Sequence, residues 1–295
     1  MEKKQTQKKI AVVNDLSGYG RCSLTVALPV ISALGLQCCP LPTAILSNHT
    51  GYPDFFFDDY TDRMPEYIAR WKSLGFEFDG ILTGFLGSAA QIDIVERFIR
   101  DFRRPPSENS SLCAPEDKAS RRTVVIIDPV MGDHGRVYST LTPELCIRMK
   151  QLAALADVLT PNITEACILT DTPYQAHFSR TELCRLLERL ASVCSGRIVV
   201  TGADAGTFLY NIVWDPADGI PLFLRKKRVA AERSGTGDLF SSIVAANVVK
   251  GAPLADAVRA AADFVRLCLV ETERLRTPAA DGAAFETLLK LLMRA

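Results

Sequence analysis

Short apolar runs alternate with segments of helical periodicity along most of the chain. The short runs, which are typical of buried strands, occupy residues 9–14, 80–82, 124–127, 158–159 and 197–200. Apolar residues at helical spacing occupy residues 20–34, 62–74, 89–102, 143–155, 181–193, 239–249, 254–269 and 283–293. This alternation predicts an α/β fold in which helices cover both faces of a mainly parallel sheet.

Proline modifies this pattern in two of the predicted elements. Pro29 lies inside the segment 20–34 and predicts a kink or a local break in that helix. Pro40 and Pro42 interrupt the apolar run 37–46. Because proline cannot donate a hydrogen bond to a neighbouring strand, this run is predicted as an edge or irregular strand.

No linker and no internal repeat divides the sequence, so a single domain over residues 1–295 is predicted. The runs 207–213 and 222–229 are predicted as late, antiparallel strands. Residues 103–122 are rich in proline, serine and charge, which predicts a long, mobile surface loop. Residues 1–8 are polar and basic, so they are predicted to be disordered and not to be a signal peptide.

Charge and cysteine content argue against several classes of protein. Basic and acidic residues number 34 each, so no basic excess indicates a nucleic-acid partner. No apolar run is long enough to span a membrane. The 9 cysteines form no C-x-x-C pair and lie mostly in apolar segments, which predicts reduced thiols in a cytoplasmic protein. With 3 histidines, a histidine-rich metal site is not expected.

Polar and glycine residues cluster directly after the predicted strands. They are Asn14-Asp15, Thr83-Gly84, Asp128, the stretch 160–165 and Thr201-Gly202. In a parallel α/β sheet, ligands bind outside the carboxyl ends of the strands. We therefore expect these residues to line one cleft, although each segment by itself is also compatible with an ordinary turn.

Residues 234–240, Ser-Gly-Thr-Gly-Asp-Leu-Phe, precede a long helical pattern and suit phosphate chemistry. Glycines permit a tight turn, and the helix N-terminus offers unpaired N–H groups and partial positive charge to a phosphate. An acid at the rim, Asp238, could take a proton from an attacking hydroxyl. Phosphoryl transfer to an alcohol needs such an anion hole and such a base. The alternative is a loop in which Asp238 is a plain N-cap.

Two further segments suit a ring-shaped substrate and a metal ion. Residues 47–52, Ser-Asn-His-Thr-Gly-Tyr, could stack on a flat ring and hydrogen-bond its edge, although a plain polar loop would look the same. Asp128 ends a strand and could act on a hydrated Mg²⁺. Glu165 lies three residues after Asn162 in a capping-box-like arrangement, which would bind Glu165 to backbone rather than to a metal.

In this combination and order, the segments resemble the pyridoxal kinases of the ribokinase-like superfamily. The resemblance covers about residues 9–270 and rests on SNHTGY at 47–52, LTG at 82–84, DPVMGD at 128–133, TPNITEA at 160–166 and GTGDLF at 235–240. The stretch DLSGYGRCSL at 15–24 is similar to the bacterial branch of pyridoxamine kinases. The resemblance implies a ribokinase-like fold, ATP and Mg²⁺ as cofactors, and a homodimer with an edge extension near the active site.

The resemblance also implies roles for individual residues. Asp238 is the implied base that activates the 5′-hydroxyl of the vitamin B6 ring. The implied anion hole is formed by the amides of Gly235, Thr236 and Gly237. The implied ATP-binding residues are Asp128, Thr160, Asn162, Glu165, Thr201 and Thr236, and the implied Mg²⁺ residues, acting largely through water, are Asp128 and Glu165. The implied ring-binding residues are Asn14, Asp15, His49, Thr50, Phe85 and Asp238.

The chain departs from the family pattern in several places. The family often has tyrosine where Phe85 stands, so a hydroxyl contact to the ring is missing. The first loop aligns only with a gap, which leaves the choice between Asn14 and Asp15 as ring ligand open. The stretch before the anion hole, 225–233, is highly charged here. A requirement for a monovalent cation is also left open.

The resulting first hypothesis is an ATP- and Mg²⁺-dependent kinase that forms the 5′-phosphate of pyridoxal, pyridoxamine or pyridoxine. The second hypothesis is a kinase of hydroxymethylpyrimidine, a thiamin precursor with a similar flat ring, although residues 47–52 favour vitamin B6. The third is a binding protein without turnover, against which the intact anion hole and base both argue. The sequence does not rank the three B6 compounds.

Overall fold

A computed structural model of the chain describes residues 7–104, 122–138, 142–229 and 233–293. The strands in these ranges are β1 Lys9–Tyr19, β2 Gln37–Asn48, β3 Phe57–Asp59, β4 Gly80–Thr83, β5 Val124–Ile127, β6 Gly132–Asp133, β7 Arg136–Val137, β8 Val158–Leu159, β9 Arg197–Ala205, β10 Phe208–Trp214 and β11 Leu222–Lys227. The helices are α1 Ser23–Ala33, α2 Met64–Ser73, α3 Ala89–Phe102, α4 Pro143–Ala153, α5 Ile163–Leu169, α6 Arg180–Val193, α7 Thr236–Lys250, α8 Leu254–Leu275 and α9 Leu289–Leu292.

Nine of the described strands form one sheet in the order β11-β10-β9-β8-β5-β4-β1-β2-β3. The strands from β9 to β2 in this order pair in parallel. Strands β10 and β11 are added in antiparallel pairs at one edge, and β3 is added antiparallel to β2 at the other. The predicted α/β fold with a mainly parallel sheet is confirmed, as are the two late antiparallel strands.

The pairing register brings the ends of the parallel strands to one edge of the sheet. Partners across neighbouring strands form a single row, which consists of Leu41, Val13, Thr83, Ile127, Leu159 and Ile198. The residues that follow this row are polar or glycine in several strands, since they include Asn14, Gly84, Asp128 and Thr160. The register therefore places the predicted cleft residues side by side at the carboxyl ends of the strands.

Helices cover both faces of the sheet, and each face has its own apolar core. Alternate residues of β1 point to opposite sides, so that Ala11 and Val13 join one core while Ile10 and Val12 join the other. Apolar residues of α2 to α6 fill the first core, and those of α1, α7 and α8 fill the second. Each parallel strand is buried on both faces, which explains its nearly continuous apolar sequence.

Several predicted elements differ from the structure. Strand β1 continues to Tyr19, beyond the predicted run 9–14, because these residues keep pairing with β2 after an irregularity between Asn14 and Leu16. The short β3 and the hairpin β6–β7 were not predicted. Pro29 lies inside α1, which continues on both sides of it. Pro40 and Pro42 pair with β1 alone, because β3 begins its pairing at Ala44, and this agrees with the predicted edge character.

The predicted helix 283–293 is wrong over its first half. A 3₁₀ turn covers Glu286–Leu288, and α9 covers only Leu289–Leu292. The backbone N–H of Ala283 donates to the carbonyl of Ser234 at 3.1 Å, and that of Ala284 donates to the Thr272 hydroxyl at 2.8 Å. Both residues lie outside any helix and are held by these tertiary contacts.

Both predicted disordered segments lie mainly outside the described residues. For the predicted tail 1–8, the described part begins at Gln7, and the Lys8 ammonium donates to the carbonyl of Val249 at 2.8 Å. For the predicted loop 103–122, residues 105–121 are outside the described ranges. Both described ends of this segment lie at the amino end of the sheet, opposite the cleft, where Arg103 and Arg122 pair with Asp157.

No helix in the described part of the chain combines the length and apolar character needed to cross a membrane. The cysteines in the described ranges all carry free thiols.

Asp157 is expected to stabilise the amino end of the sheet. Its side chain is buried, accepts from Arg103 at 2.6 Å and from the Val125 N–H at 2.8 Å, and also pairs with Arg122. Asp157→Ala leaves these donors without their acceptor, so it should lower the free energy of unfolding by about 3 kcal/mol. Urea denaturation measures this loss.

The matched control is Asp101→Ala, because the Lys72–Asp101 pair is exposed on both sides. An exposed ion pair contributes about 0.5 kcal/mol or less. Equal losses in the two variants would contradict the structural role of Asp157.

Candidate active site

The carboxyl ends of the parallel strands and the first turns of α5 and α7 enclose a group of acidic side chains. Its members are Asp15 in β1, Asp128 after β5, Glu165 in α5 and Asp238 in α7. Their charges act on one another, since Asp15 raises the pKa of Asp238 and Asp238 raises that of Asp128. Asp128 in turn raises the pKa of Glu165. The structure therefore brings these predicted site residues together.

The two glycines before Asp238 serve different purposes. Gly235 is the N-cap of α7 with φ of 79°, and a Cβ built on it would lie 2.0 Å from the carbonyl oxygen of Arg21. Both its backbone conformation and its surroundings therefore require glycine. A Cβ built on Gly237 would meet nothing within 4 Å. Gly237 thus leaves open space in front of the helix.

The N-terminal amides of α7 face this open space without an acceptor in the helix. The first intrahelical bond runs from the Leu239 N–H to the Gly235 carbonyl at 2.9 Å. Among the described residues, no protein acceptor binds the amides of Gly235, Thr236 or Gly237. Unpaired amides at the positive end of a helix favour a bound anion. The geometry is that of the predicted anion hole.

Asp238 lies three residues after the N-cap, so the alternative in which it is a plain N-cap is wrong. Its carboxylate accepts from the Asn14 side-chain amide at 3.1 Å and from the backbone N–H of Ser23. Desolvation is the main cause that raises its pKa to about 6, and the charge of Asp15 adds to it, while these two donors oppose the shift. A carboxylate with such a pKa is ionised at neutral pH and is a stronger base than an exposed aspartate.

Asp15 is buried and is held by two hydroxyl groups. Ser17 donates to one carboxylate oxygen at 2.9 Å, and Ser23 donates to the other at 2.5 Å. Desolvation raises the pKa of Asp15 against these donors, and His49 acts electrostatically to lower it. Each oxygen keeps a further lone pair, so Asp15 can still accept from a ligand.

Ser23 connects the two acids, because its hydroxyl binds Asp15 and its backbone N–H binds Asp238. It has a left-handed backbone with φ of 52°, which is uncommon for a residue with a side chain. Strained backbone of this kind often occurs at functional sites. Sequence reasoning missed Ser23, since a serine at a helix start looks like an ordinary capping residue.

His49 is held firmly inside the loop 47–52. Its ring lies so close to Gly20 and Gly51 that a Cβ on either glycine would come within 2.6 Å and 2.8 Å of it. Nε2 lies 2.6 Å from the Ala280 carbonyl oxygen, and Nδ1 accepts from the Gly51 N–H at 3.1 Å. These two contacts define a tautomer protonated at Nε2, and both ring nitrogens are used by the protein.

The segment around Asp281 connects this loop to the anion hole. The Asp281 carboxylate accepts from the Tyr52 hydroxyl at 2.7 Å, and its carbonyl accepts from the Arg21 N–H at 3.2 Å. Two residues further on, the N–H of Ala283 donates to the Ser234 carbonyl at 3.1 Å. Sequence reasoning missed this segment because its contacts are distant along the chain, as the separation of 229 between Tyr52 and Asp281 illustrates.

Thr50 and Phe85 lie at the outer side of the cleft. Thr50 is exposed, and Phe85 is half-buried just after β4. The Phe85 carbonyl accepts from the Thr43 hydroxyl at 3.0 Å, which holds the backbone of Phe85 in place.

The other predicted phosphate-side residues surround the α5 end of the cleft. Asn162 caps α5, because its side-chain oxygen accepts from the Glu165 N–H at 3.0 Å and its amide donates to the Gly132 carbonyl at 2.8 Å. Thr160 is buried, and Thr201 pairs with Asn162 in an isolated bridge. The Thr236 hydroxyl donates to the Arg233 carbonyl at 3.1 Å, within the loop that precedes α7.

The charged stretch 225–233 is partly neutralised, and residues 230–232 of it lie outside the described ranges. The Lys226 ammonium pairs with Asp263 at 2.6 Å, and the Arg225 guanidinium lies over the Phe208 ring at 4.5 Å. Arg228 pairs with Asp204. Acidic partners thus neutralise Lys226 and Arg228, whereas Arg225 keeps its positive charge against an aromatic ring.

Comparison with known proteins decides the family. The model of the phosphomethylpyrimidine kinase family matches residues 108–280, which is more than half of the chain. The chain belongs to this kinase family. It is therefore a phosphotransferase with an alcohol group as acceptor.

Similar proteins in this family include vitamin B6 kinases. A pyridoxine/pyridoxal/pyridoxamine kinase of Bordetella avium is 30% identical over 90% of this chain and 87% of its own. A Bacteroides thetaiotaomicron structure described as a phosphomethylpyrimidine kinase, in an orthorhombic form with pyridoxal, has a TM-score of 0.88 and 37% identity, covering 97% of this chain and 96% of its own. Pyridoxal kinase from Lactobacillus plantarum has a TM-score of 0.86 and 28% identity, covering 98% of each chain. These neighbours confirm the ribokinase-like fold.

The acids on the α5 side suit the Mg²⁺ that the resemblance implies for this kinase family. Desolvation and the charge of Asp238 raise the pKa of Asp128 to about 8, and desolvation and Asp128 raise that of Glu165 well above its usual value. A divalent cation would stabilise both carboxylates in their ionised forms. Within the described residues, no group of three or more metal-binding side chains is present, so Mg²⁺ here would keep several water ligands.

Glu165 also forms the capping box that the sequence suggested as an alternative. Its carboxylate accepts from the Asn162 N–H at 2.8 Å and from the Met131 N–H at 3.2 Å. The structural interpretation of Glu165 is therefore correct for these bonds. The remaining lone pairs of the carboxylate can still accept from a water molecule bound to Mg²⁺.

Ionised Asp238 is the form that can accept a proton, so kcat/KM of the kinase should fall below about pH 6. Asp15→Asn removes the neighbouring charge that raises the pKa of Asp238. We expect the acid limb of the kcat/KM profile to move to lower pH by about one unit in this variant. The midpoint of the limb is the readout, because the height of the profile also depends on substrate binding.

Asp101→Asn is the control for this profile, since Asp101 is an exposed residue of α3 that pairs with Lys72. Its acid limb should match that of the wild type. An unmoved limb in Asp15→Asn would show that Asp238 is not the titrating base.

Proposed function

We propose that the chain transfers the γ-phosphoryl group of ATP to the 5′-hydroxyl of pyridoxal, pyridoxamine or pyridoxine. The observation that carries this proposal is the position of Asp238, a desolvated carboxylate next to the unpaired amides of α7. A base and an anion hole side by side are the requirements of phosphoryl transfer to an alcohol. The similarity to vitamin B6 kinases supports the ring-shaped acceptor.

In the proposed reaction, one oxygen of Asp238 accepts the proton of the hydroxyl group. The hydroxyl oxygen forms the new bond to phosphorus as the bond to the leaving ADP breaks. The amides of Gly235, Thr236 and Gly237 bind the charge on the transferring group, in the open space in front of Gly237. When bound, Mg²⁺ supplies positive charge to the phosphates, and Asp128 and Glu165 would hold its water ligands. Thr160, Asn162, Thr201 and Thr236 are proposed to lie along the ATP phosphates.

The vitamin ring is proposed to bind between Asp15 in β1 and the loop 47–52. Asp15 keeps lone pairs for a polar group at the ring edge, and the Phe85 ring offers an apolar surface. Thr50 is exposed at the outer side of this space. His49 supports the loop from below, because both of its nitrogens already bind backbone.

Hydroxymethylpyrimidine is the second candidate substrate, because the matching family model is that of phosphomethylpyrimidine kinase. The Bacteroides thetaiotaomicron structure described with this name contains pyridoxal, which favours vitamin B6 as the acceptor here. Both rings carry the same reacting hydroxymethyl group, so the catalytic residues would be shared.

An assay of ATP consumption tests the proposal. The protein with Mg²⁺ is offered pyridoxal, pyridoxamine, pyridoxine and hydroxymethylpyrimidine in parallel. We expect a higher kcat/KM with at least one B6 compound than with the pyrimidine. Asp238→Asn should retain ATP binding in calorimetry and lose turnover by about 10²–10⁴-fold, because the proton acceptor is gone.

Asp256→Asn is the control for this variant, since Asp256 is an exposed residue of α8 paired with Arg259. It should keep wild-type turnover. Near-normal turnover of Asp238→Asn would exclude Asp238 as the base, and turnover with the pyrimidine alone would establish the second candidate instead.

A homodimer is proposed through the β3 edge of the sheet. Phe55, Phe56 and Phe57 are all exposed there, and Phe56 is 66% exposed. The outer side of β3 has no strand partner in the described sheet. Open strand edges and exposed aromatic clusters are typical of surfaces that a partner covers. The resemblance implies such a dimer with an edge extension near the active site.

Light scattering should give the mass of two chains for the wild type and of one chain for Phe56→Glu. A charge at this position would be buried without a partner in the dimer. Phe76→Glu is the control, because Phe76 is also exposed but lies away from β3. A wild type with the mass of one chain would contradict the proposed dimer.

A further inference from the structure

We propose that Asn14 is a positioning residue that holds the carboxylate of Asp238, and that residue 84 is glycine because the Asn14 amide occupies the space of a side chain there. The inference rests on the proposed function, in which Asp238 is the base. It changes the role that the family resemblance implies for Asn14, which is contact with the vitamin ring. Asn14 would act on the reaction through Asp238 instead.

The hydrogen bonds of Asn14 define how its amide is oriented. Its Oδ1 atom accepts from the backbone N–H of Asp15 at 3.0 Å and from that of Phe85 at 2.8 Å. Both partners are donors, so the atom that faces them must be the oxygen. A flipped amide would place an NH₂ group against two N–H groups in a buried position. Nδ2 therefore has to point the other way.

The atom that Nδ2 meets is Oδ1 of Asp238, at 3.1 Å. The two residues are 224 positions apart, so this bond joins the middle of β1 to the first turn of α7. A hydrogen bond to an ionised carboxylate is stronger than one between neutral groups. Because Oδ1 of Asn14 is fixed by two backbone groups, its Nδ2 holds Asp238 from a rigid support.

Gly84 follows β4 directly beside this amide. A Cβ built on Gly84 would lie 2.4 Å from Nδ2 and 2.5 Å from Cγ of Asn14. The backbone of Gly84 is not in the left-handed region, since it is not among the glycines with positive φ. Glycine is therefore required by space alone. An alanine here would push the Asn14 amide away from Asp238 without removing it.

Gly87 provides a matched control three residues further on. A Cβ on Gly87 would meet its nearest atom, Cε1 of Phe85, at 3.6 Å, which is an ordinary contact. Gly87 also has no positive φ, so alanine fits its backbone. Gly87→Ala should keep wild-type kinetics, and it controls for any general effect of stiffening the segment after β4.

The kinetic test separates the two roles of Asn14. Asn14→Ala and Gly84→Ala should each lower kcat by about tenfold to a hundredfold, because a misplaced base costs rate in the chemical step. KM for the vitamin ring and KM for ATP should stay within about twofold of the wild type. A ring-binding role predicts the opposite result, with a raised KM for the ring and little change in kcat.

The double variant tests whether Gly84 acts through Asn14. Once Asn14→Ala has removed the amide, the three atoms nearest to the added Cβ of Gly84→Ala are gone, so this Cβ should cause no further loss. Losses in kcat that multiply in the double variant would overturn the coupling. If Asn14→Ala does not fold, Gly84→Ala alone still tests the role of Asn14, because it displaces the Asn14 amide without removing it.

The outcomes also separate this inference from the proposed function. A wild type without turnover on any of the ring substrates would overturn the proposed function, and the inference with it. A wild type with turnover, together with unchanged kcat in both Asn14→Ala and Gly84→Ala, would overturn the inference alone.

Discussion

Mutual repulsion of carboxyl groups in a partly desolvated cleft is the constraint on which the rest of this site depends. Desolvation is the main cause that raises the pKa of Asp128 to about 8 and that of Asp238 to about 6. The charge of Asp238 adds to the shift at Asp128, and the charge of Asp15 adds to the shift at Asp238. Such a group is stable only if donors are brought to it from elsewhere in the chain. For Asp238 these donors come from Asn14 in β1 and Ser23 at the start of α1, which are far from it along the chain.

Close approach between distant segments of the chain explains where glycine is needed around the site. Gly235 lets the start of α7 pass against the Arg21 carbonyl, while Gly20 and Gly51 leave room for the imidazole between them. Gly237 differs from these, because its missing side chain faces open space rather than protein. The first group therefore serves the fold, and the open space at Gly237 fits the phosphoryl group that is proposed to bind there.

Much of this arrangement could be predicted from sequence, because it depends on local pattern. Asp128 directly follows an apolar run, and Asp238 follows two glycines before a helical segment, so both positions were evident. Tertiary contacts could not be predicted in the same way. The predicted helix 283–293 starts late in the structure, and Ala283 and Ala284 instead donate to Ser234 and Thr272. The direction of the Asn14 amide likewise depends on Phe85 and Asp238, which no local pattern connects to it.

The fold separates stability from chemistry along the direction of the strands. The Asp157 ion pairs lie at the amino end of the sheet, and the acids of the cleft lie at its carboxyl end. Within the cleft, the residues proposed to act on the phosphates lie after β5 and β8, in β9 and at the starts of α5 and α7, whereas Thr50 and Phe85, which are proposed to bind the ring, belong to the segments that follow β2 and β4. Within the described residues, the donors that hold the Asp238 carboxylate do not include the side chains of Thr50 and Phe85, so in the proposed function these two residues choose the ring while the base stays in place. One proposed base could therefore serve a pyridine or a pyrimidine ring, because both carry the same reacting hydroxymethyl group.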